Sequence, residues 1–386
     1  MPVKLLVVDD EPDLELLVRQ RFRKQIRAGD YAIEFARSGV EALQKLAATP
    51  DIDIVLTDIN MPEMDGLTLL VKLQELDRVL KAVIVSAYGD MDNIRTAMHR
   101  GAADFLTKPI DFQDMELTVA KTLKELQALR RATQEHDQLL ALRHELEIAN
   151  VIQQSILPRR FPPFPERTDL DVFAAMLPAR DVGGDFYDFF LIDHDHLGVV
   201  VGDVSGKGVP AAIFMAMSRT LLRSTALQGT APGACLAHVN SLLCLDNDSE
   251  MFVTIFYGIL DTRTGQLAYS NGGHNPPYVV RRGGAVEALP PTGGIVLGVF
   301  DDNVYRDAAA TVEPGDAVFL YSDGITEAMD PAGALFSDAR LRDVLAAAGP
   351  LEPRPLIERV IAAVQTHGAG VPQSDDITAL CVRRPA

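Results

Sequence analysis

Residues 199–210 read VVVGDVSGKGVP, an apolar run that breaks into glycines and a Gly206-Lys207 pair before an apolar, helix-like continuation. A phosphate-cradling P-loop also lies between strand and helix, but it needs four residues between its first Gly and its Gly-Lys, then Ser or Thr. Here three residues separate Gly202 from Gly206, and Gly208 follows Lys207. The loop is too short for that cradle and lacks the hydroxyl that would hold magnesium. What it offers instead is a carboxylate, Asp203, while Lys207 reads as a surface or substrate-edge lysine. The fold and chemistry of this half turn on which other acids meet Asp203.

Around this stretch, β-type runs (VFAAML from 172, LGVVVGDV from 197, FVTIFYGIL from 252, QLAYS from 266, PYVVRR from 277, DAVFLYSD from 316, ITALCV from 377) accompany helix candidates at 209–226, 233–245, 338–348 and 354–366. Strands flank paired helices without strict alternation, which predicts an α+β sandwich. Upstream, PRRFPPFPERTDL (158–170) stops any helix, because each Pro removes a donor and clashes with the preceding turn. Residues 111–157 hold neither Gly nor Pro and predict one long helix. Leu139, Leu142, Leu146, Ala149, Ile152 and Ile156 recur at three- and four-residue steps. That face suits a dimerising coiled coil or an amphipathic helix packed on its own domain; the polar patch RRATQEHDQ at 130–138 weakens the heptad case, and a dimer is the favoured expectation.

Before residue 120 the pattern is different. VKLLVV, AIEFA, DIVLT, AVIVS and DFLT alternate with helix-like stretches at 12–27, 39–48 and 66–76, which predicts a five-stranded, doubly wound parallel α/β sheet. The expected domains are 1–120, a helical linker over 121–158, and 159–386.

Composition bounds the partners. Net charge is −18 with no basic block, so a nucleic-acid partner is not expected. Cys235, Cys244 and Cys381 are scattered without metal spacing, which suits a reducing compartment. MPVKLLVV runs straight into DDEPD, and no apolar run reaches membrane-spanning length. A cytoplasmic protein without a membrane segment is expected.

Two acidic constellations carry the chemistry. In the first, Asp9 and Asp10 end the first strand, Asp58 the third, Ser86 the fourth, and Lys108 follows the fifth. A doubly wound sheet brings these ends to one edge, where carboxylates repel unless they share a hard cation such as magnesium. A carboxylate so primed can take up a phosphoryl group. With LLVVDDEP, DINMPEMDG and FLTKP as they stand, residues 1–120 resemble the response-regulator receiver family. The resemblance implies Asp58 as phosphoacceptor, Mg2+ on Asp10, Asp58 and the Asn60 carbonyl with Asp9 acting through water, and Ser86 and Lys108 on the phosphoryl oxygens. It also implies that Ser86 and Phe105 switch position, Phe105 standing where tyrosine is commoner.

In the second constellation, Asp185 sits in VGGDFYD, Asp203 in GDVSGKG, Asp323 in LYSDGITEA, and Asp375 with Asp376 in QSDDIT. Singly, each reads as a turn, a cap or a loop. If the loops converge, the shared charge needs two divalent cations, which together activate a water for attack on phosphorus. Their order resembles bacterial PPM-type serine/threonine phosphatases of the sporulation stage II protein E-like class, over roughly 160–383, with EIANVIQQSILP and NGGHNPP alike. The resemblance implies two Mn2+ or Mg2+ ions, Asp203 bridging them, the Val204 carbonyl and Asp185 on one, Asp323 and Asp375 on the other; Gly184 stands where eukaryotic relatives place a further acid. Asp376, His274 and Asn275 are accessory candidates; for His274, in a Gly/Pro loop, anchoring that loop is the favoured expectation over a metal or acid role.

GGDFYD is near the GGDEF signature of diguanylate cyclases, but Phe186 replaces the acid that signature needs. The expected function is a two-component regulator. The two resemblances imply that a histidine kinase or phosphotransfer protein phosphorylates Asp58, that this controls a metal-dependent phosphatase, and that the substrate is a phosphorylated anti-sigma-factor antagonist; the sign of the control stays open. The alternative is a non-catalytic module that sequesters a regulator; loss of the metal acids would mark it, and all four are present.

Overall fold

The computed structural model describes residues 2–386 apart from 77, 88, 89, 246 and 350. The chain divides into two compact units, Met1–Leu142 and Arg143–Ala386.

In the first unit, strands β1 (Val3–Val8), β2 (Tyr31–Ala36), β3 (Ile54–Asp58), β4 (Lys81–Ala87) and β5 (Asp104–Lys108) are joined by helices α1 (Pro12–Arg21), α2 (Arg23–Ala28), α3 (Gly39–Ala48), α4 (Gly66–Gln74) and α5 (Met91–His99). All pairs are parallel, in the order β2-β1-β3-β4-β5. Leu6, Val8, Val55 and Ile84 pack on one face, and Leu5, Val7, Ile54 and Val83 on the other. Burial on both faces is why these strands read as unbroken apolar runs. The chain leaves β1 for β2 on one side and returns to β3 on the other, so the ends of β1 and β3 flank a topological switch point, the usual crevice of such sheets.

The helix expected over 12–27 is two helices. Phe22 interrupts it at φ −85°, ψ 11°, with its ring 1% exposed and 5.7 Å from that of Tyr31. The backbone turns where that ring is held in the core. Helix α6 (Phe112–Ile156) is continuous over 45 residues. Val119 and Leu126 are buried near its start, and Gln153 near its end. Along its stripe, Leu139, Leu142 and Ile152 are 63%, 52% and 58% exposed in the single chain. Among the described residues, no helix is long and apolar enough to cross a membrane.

The second unit continues with β6 (Asp171–Leu177), β7 (Phe186–Leu191), β8 (His196–Val204), α7 (Val209–Ala226), α8 (Pro232–Cys244), β9 (Val253–Asp261), β10 (Gln266–Gly272), β11 (Tyr278–Val280) and β12 (Val286–Ala288). It closes with β13 (Ala308–Thr311), β14 (Ala317–Tyr321), α9 (Asp323–Thr326), α10 (Ser337–Ala348), α11 (Pro353–His367) and β15 (Ile377–Arg383). Two five-stranded antiparallel sheets form, β13-β10-β9-β8-β7 and β12-β11-β14-β15-β6. Alternation along β14 shows the layering: Val318 and Leu320 join the core between the sheets, whereas Phe319 and Tyr321 meet Leu341, Leu356 and Val360 of α10 and α11. Helices α7 and α8 pack against β8 and β10.

Strand register then sets the site. Phe186 pairs with Gly202, which brings Asp185 beside Asp203 at the end of one sheet. Tyr321 pairs with Ala379, which brings Asp323 toward the Asp375-Asp376 loop at the end of the other.

Candidate active site

In the first unit, one carboxylate oxygen each from Asp9, Asp10 and Asp58 lie within 4.8 Å of one another. Asp9 and Asp58 are buried and Asp10 is exposed, so the group opens on one side. Lys108 arrives from the end of β5, with Nζ 2.8 Å from Asp58 Oδ2, 3.0 Å from Asp9 Oδ2 and 3.1 Å from Glu11 Oε1. Burial works to lower the Lys108 pKa, but the bonds to Asp58, Asp9 and Glu11 outweigh it and leave the ammonium more firmly protonated than usual. The Asp9 pKa is raised too, which for a carboxyl disfavours the charged form: burial raises it, and the Glu11 amide and Lys108 offset only part of the rise. Asp58 is further held by the Ile59 N–H, which donates to Oδ1 at 2.7 Å. Ser86 is 1% exposed, with Oγ 3.4 Å from Asp90 Oδ2, and Phe105 is 37% exposed. Asn60 follows β3 at the surface.

In the second unit, the acids from four loops converge as the register requires. Asp185 is 1% exposed, and its Oδ2 has no hydrogen-bond partner. Burial raises its pKa well above the usual carboxylate range; Asp203 and Asp376 push the same way, and the Ser322 and Thr378 hydroxyls oppose them. Asp203 is pushed up to about 7, first by burial and next by Asp323, with Asp375 and Asp376 adding; a hydrogen bond with Asp185 works against them. Asp323 is raised by burial and then by Glu327 and Asp375. These acids are more widely spread than the first trio: among the described residues, only Asp9, Asp10 and Asp58 offer three ligand atoms within 4.8 Å.

The donor set fits a divalent cation. An unpartnered, fully buried carboxylate oxygen on Asp185 has no reason to stay ionised except a positive charge beside it. A Cβ at Gly184 would lie 2.9 Å from the Val204 carbonyl oxygen, so the carbonyl lies close to this glycine and a side chain at 184 would require that backbone to shift.

The two adjacent aspartates of QSDDIT have separate fates. Asp375 lies at the rim, its side chain 38% exposed and 2.8 Å from Lys207 Nζ. Asp376 is buried and accepts from the N–H groups of Ala179 and Gly184, both at 2.8 Å. Its carboxylate therefore holds the loop that carries Asp185, and a Cβ at Gly183 would come within 2.1 Å of Asp376 Oδ2. His274 is 6% exposed, with Nδ1 2.8 Å from Thr254 Oγ1 and Nε2 3.0 Å from the Tyr321 carbonyl. Burial lowers its pKa to about 4, so the ring is neutral and its Nε2–H ties the strand before Asp323 to Thr254, opposite Asp203 in the ladder. Asn275 is half-buried in the next position.

Gln153, near the end of α6, was not singled out by its residue type. Its Nε2 donates to the Gly183 carbonyl at 2.6 Å, and its Oε1 accepts from the Gly183 N–H at 3.0 Å. The signal was the segment EIANVIQQSILP, whose repeat marks a helix but does not say which glutamine turns inward.

Residues 193–385 match the family Stage II sporulation protein E (SpoIIE), and residues 5–120 match the response regulator receiver domain. Protein IcfG of Synechocystis sp. is 33% identical over 273 residues, 63% of this chain and 42% of that protein. Phosphoserine phosphatase RsbU of Bacillus subtilis is 32% identical over 208 residues, 53% of this chain and 61% of that protein. The chain thus spans less than two thirds of the length of these relatives. Among solved structures, the SiaA-PP2C domain of Pseudomonas aeruginosa is 25% identical with a TM-score of 0.56, covering 64% of this chain and 98% of that one. With 193–385 making up half of its 386 residues, the chain belongs to the Stage II sporulation protein E family and carries a response regulator receiver domain ahead of the family's characteristic domain.

Proposed function

We propose that this chain is a divalent-metal-dependent protein serine/threonine phosphatase under the control of phosphorylation at Asp58. The observation that carries the reading is Asp203, surrounded by Asp185, Asp323, Asp375 and Asp376 and pushed up to about 7. Acids so crowded, with Asp185 and Asp376 buried, destabilise the fold unless they serve a cation. Asp185, the Val204 carbonyl, Asp203, Asp323 and Asp375 are the oxygens that would hold two Mn2+ or Mg2+ ions. When bound, such ions offset the acids and bring the pKa of a coordinated water toward neutrality. The chain's own part is to fix its acids in place: Asp376 and Gln153 hold the Asp185 loop, and His274 ties the strands behind Asp203 and Asp323. No protein nucleophile is required for water to displace the seryl or threonyl oxygen from phosphorus.

In the receiver, Asp9, Asp10, Asp58 and the Asn60 carbonyl would hold Mg2+. A histidine kinase or phosphotransfer protein donates the phosphoryl group to Asp58, and Lys108 Nζ, already 2.8 Å away, takes one of its oxygens. Ser86 and Phe105 change position in response. Helix α6 carries the change onward, because its Gln153 bonds the backbone next to Asp185, and the stripe 139–156, with Leu139, Leu142 and Ile152 exposed, pairs two copies of the chain. The substrate is phosphoserine or phosphothreonine on an anti-sigma-factor antagonist, a reading supported by similarity to RsbU.

The test is phosphate release from a panel of phosphoproteins by the full chain, with and without Mn2+ and with and without beryllofluoride at Asp58. Mn2+-dependent turnover that changes with beryllofluoride is expected. Absent or metal-independent turnover would leave a binding module, and equal rates in both beryllofluoride arms would remove the regulatory half.

A further inference from the structure

We propose that Lys207 seats the phosphoryl group of the substrate. The inference rests on the phosphatase reading above and adds a residue to it. A phosphomonoester arrives as a dianion at a site whose own side chains are acids. Any phosphoryl oxygen not turned toward a cation of the site needs a positive group from the chain, and lysine serves as a mobile point charge for phosphate.

Lys207 is placed for that task. It lies in the loop that leaves Asp203, between Gly206 at φ +85° and Gly208 at φ +79°, positions where an added Cβ would meet nothing within 4 Å. The loop therefore stands clear of its surroundings. The Nζ group donates to Asp375 Oδ2 at 2.8 Å and to the Ser374 carbonyl. Its charge also reaches Asp323. The ammonium thus sits over the acids, at the rim, with the two side chains 37% and 38% exposed, so that an incoming group can reach it from solvent. An exposed pair of this kind is weak, which leaves the ammonium free to change partners.

The competing role is a plain counter-ion to Asp375, and the two make opposite predictions. If Lys207 only neutralises Asp375, its removal frees a carboxylate for metal and does nothing to phosphate. If it seats phosphate, its removal weakens phosphate binding and leaves metal binding equal or tighter. The full chain and its K207M and K207R variants are titrated calorimetrically with Mn2+, then with inorganic phosphate at saturating Mn2+, and their kcat and KM are measured on p-nitrophenyl phosphate. We expect K207M to bind phosphate roughly 10- to 100-fold more weakly, the range for one charge-assisted hydrogen bond. K207R recovers most of the loss, and K207M binds Mn2+ as tightly as the unaltered chain or more tightly. Phosphate affinity in K207M within about twofold of the unaltered chain overturns the proposal, with tighter Mn2+ binding then identifying the counter-ion role. An unaltered chain that neither binds Mn2+ nor hydrolyses the ester overturns the phosphatase reading and this one together.

Discussion

The two acidic sites solve one electrostatic problem in different ways. In the receiver, three carboxylates converge around an ammonium that the chain itself supplies, Lys108, which bonds Asp9 and Asp58 directly. In the second unit the acids lie around Asp203, and the one lysine seen among them, Lys207, stays at the rim on Asp375. Charge there is relieved by protonation instead, with Asp185 raised well above its normal range and Asp203 pushed up to about 7. In the receiver, an internal cation already sits on Asp9 and Asp58. Without one at its centre, the second site holds protons up to neutral pH, and a cation arriving there would favour its ionised form.

The sharpest way to break this contrast is to remove the central acid. Asp203→Asn is expected to lower phosphate release at saturating Mn2+ by at least roughly 10²- to 10³-fold, the scale for losing one preorganised electrostatic group. The same change takes a raised, half-buried carboxyl out of the metal-free fold. The metal-free variant should therefore melt roughly 2–6 °C higher near pH 8, read by calorimetry. Loss of activity together with a gain in stability marks a site built against the fold's own interest. A variant that loses both would mean that Asp203 is structural.

The pH dependence is the next largest effect, and its sign follows from the raised pKa. A carboxyl whose folded pKa lies above its unfolded value adds stability that is complete below about pH 4 and is lost as pH rises through the folded value. For Asp203 that value is about 7, so the metal-free chain should weaken from acid toward neutral pH. Metal needs the deprotonated form, and Asp185 is raised as well, so Mn2+ affinity at this site should climb by at least about 10-fold per pH unit below 7, with proton release. The Mn2+ binding left in Asp203→Asn reports the receiver, where Lys108 already holds Asp58. Its affinity should change less over the same range. Parallel slopes at both sites would cancel the distinction drawn here.

Sequence alone reached much of this, and the limits have physical causes. The parallel strands of the receiver were legible because burial on both faces leaves continuous apolar runs, and α7 was legible over Val209–Ala226 because Pro210 and the glycines before it set its start. Strand β7, FYDFFL, was missed. Five of its six positions are buried with no alternation, and it follows directly on the GGD loop, so it read as part of that loop. The acids of the second site were identifiable as residues, but their separate jobs were not. Asp375 and Asp376 are neighbours of the same type, and only pairing across 192 residues, from Asp376 to the Gly184 amide, turns one of them inward. Gln153 escaped for the same reason, since a helical repeat gives a face and not a partner.

That difference between short-range and long-range support yields the finest comparison. Asp58 ends a central strand, and its position is set by the ladder and by the adjacent Ile59 amide. Asp185 precedes its strand on a loop, and what holds the loop is two side chains from far away in sequence, Asp376 on Gly184 and Gln153 on Gly183. Gln153→Ala leaves a buried N–H and a buried C=O unpaired, a cost of about 1–3 kcal/mol. Part of that cost returns as freedom of the Asp185 loop, so Mn2+ affinity in the second unit should fall by roughly 3- to 10-fold while Mg2+ binding in the receiver is untouched. Gln153→Glu keeps the size and one acceptor but sets a carboxylate against the Gly183 carbonyl, so it should weaken Mn2+ binding at least as much as alanine. If calorimetry finds Mn2+ affinity unchanged in both variants, Asp376 holds the loop alone, and helix α6 has no purchase on the metal site through this contact.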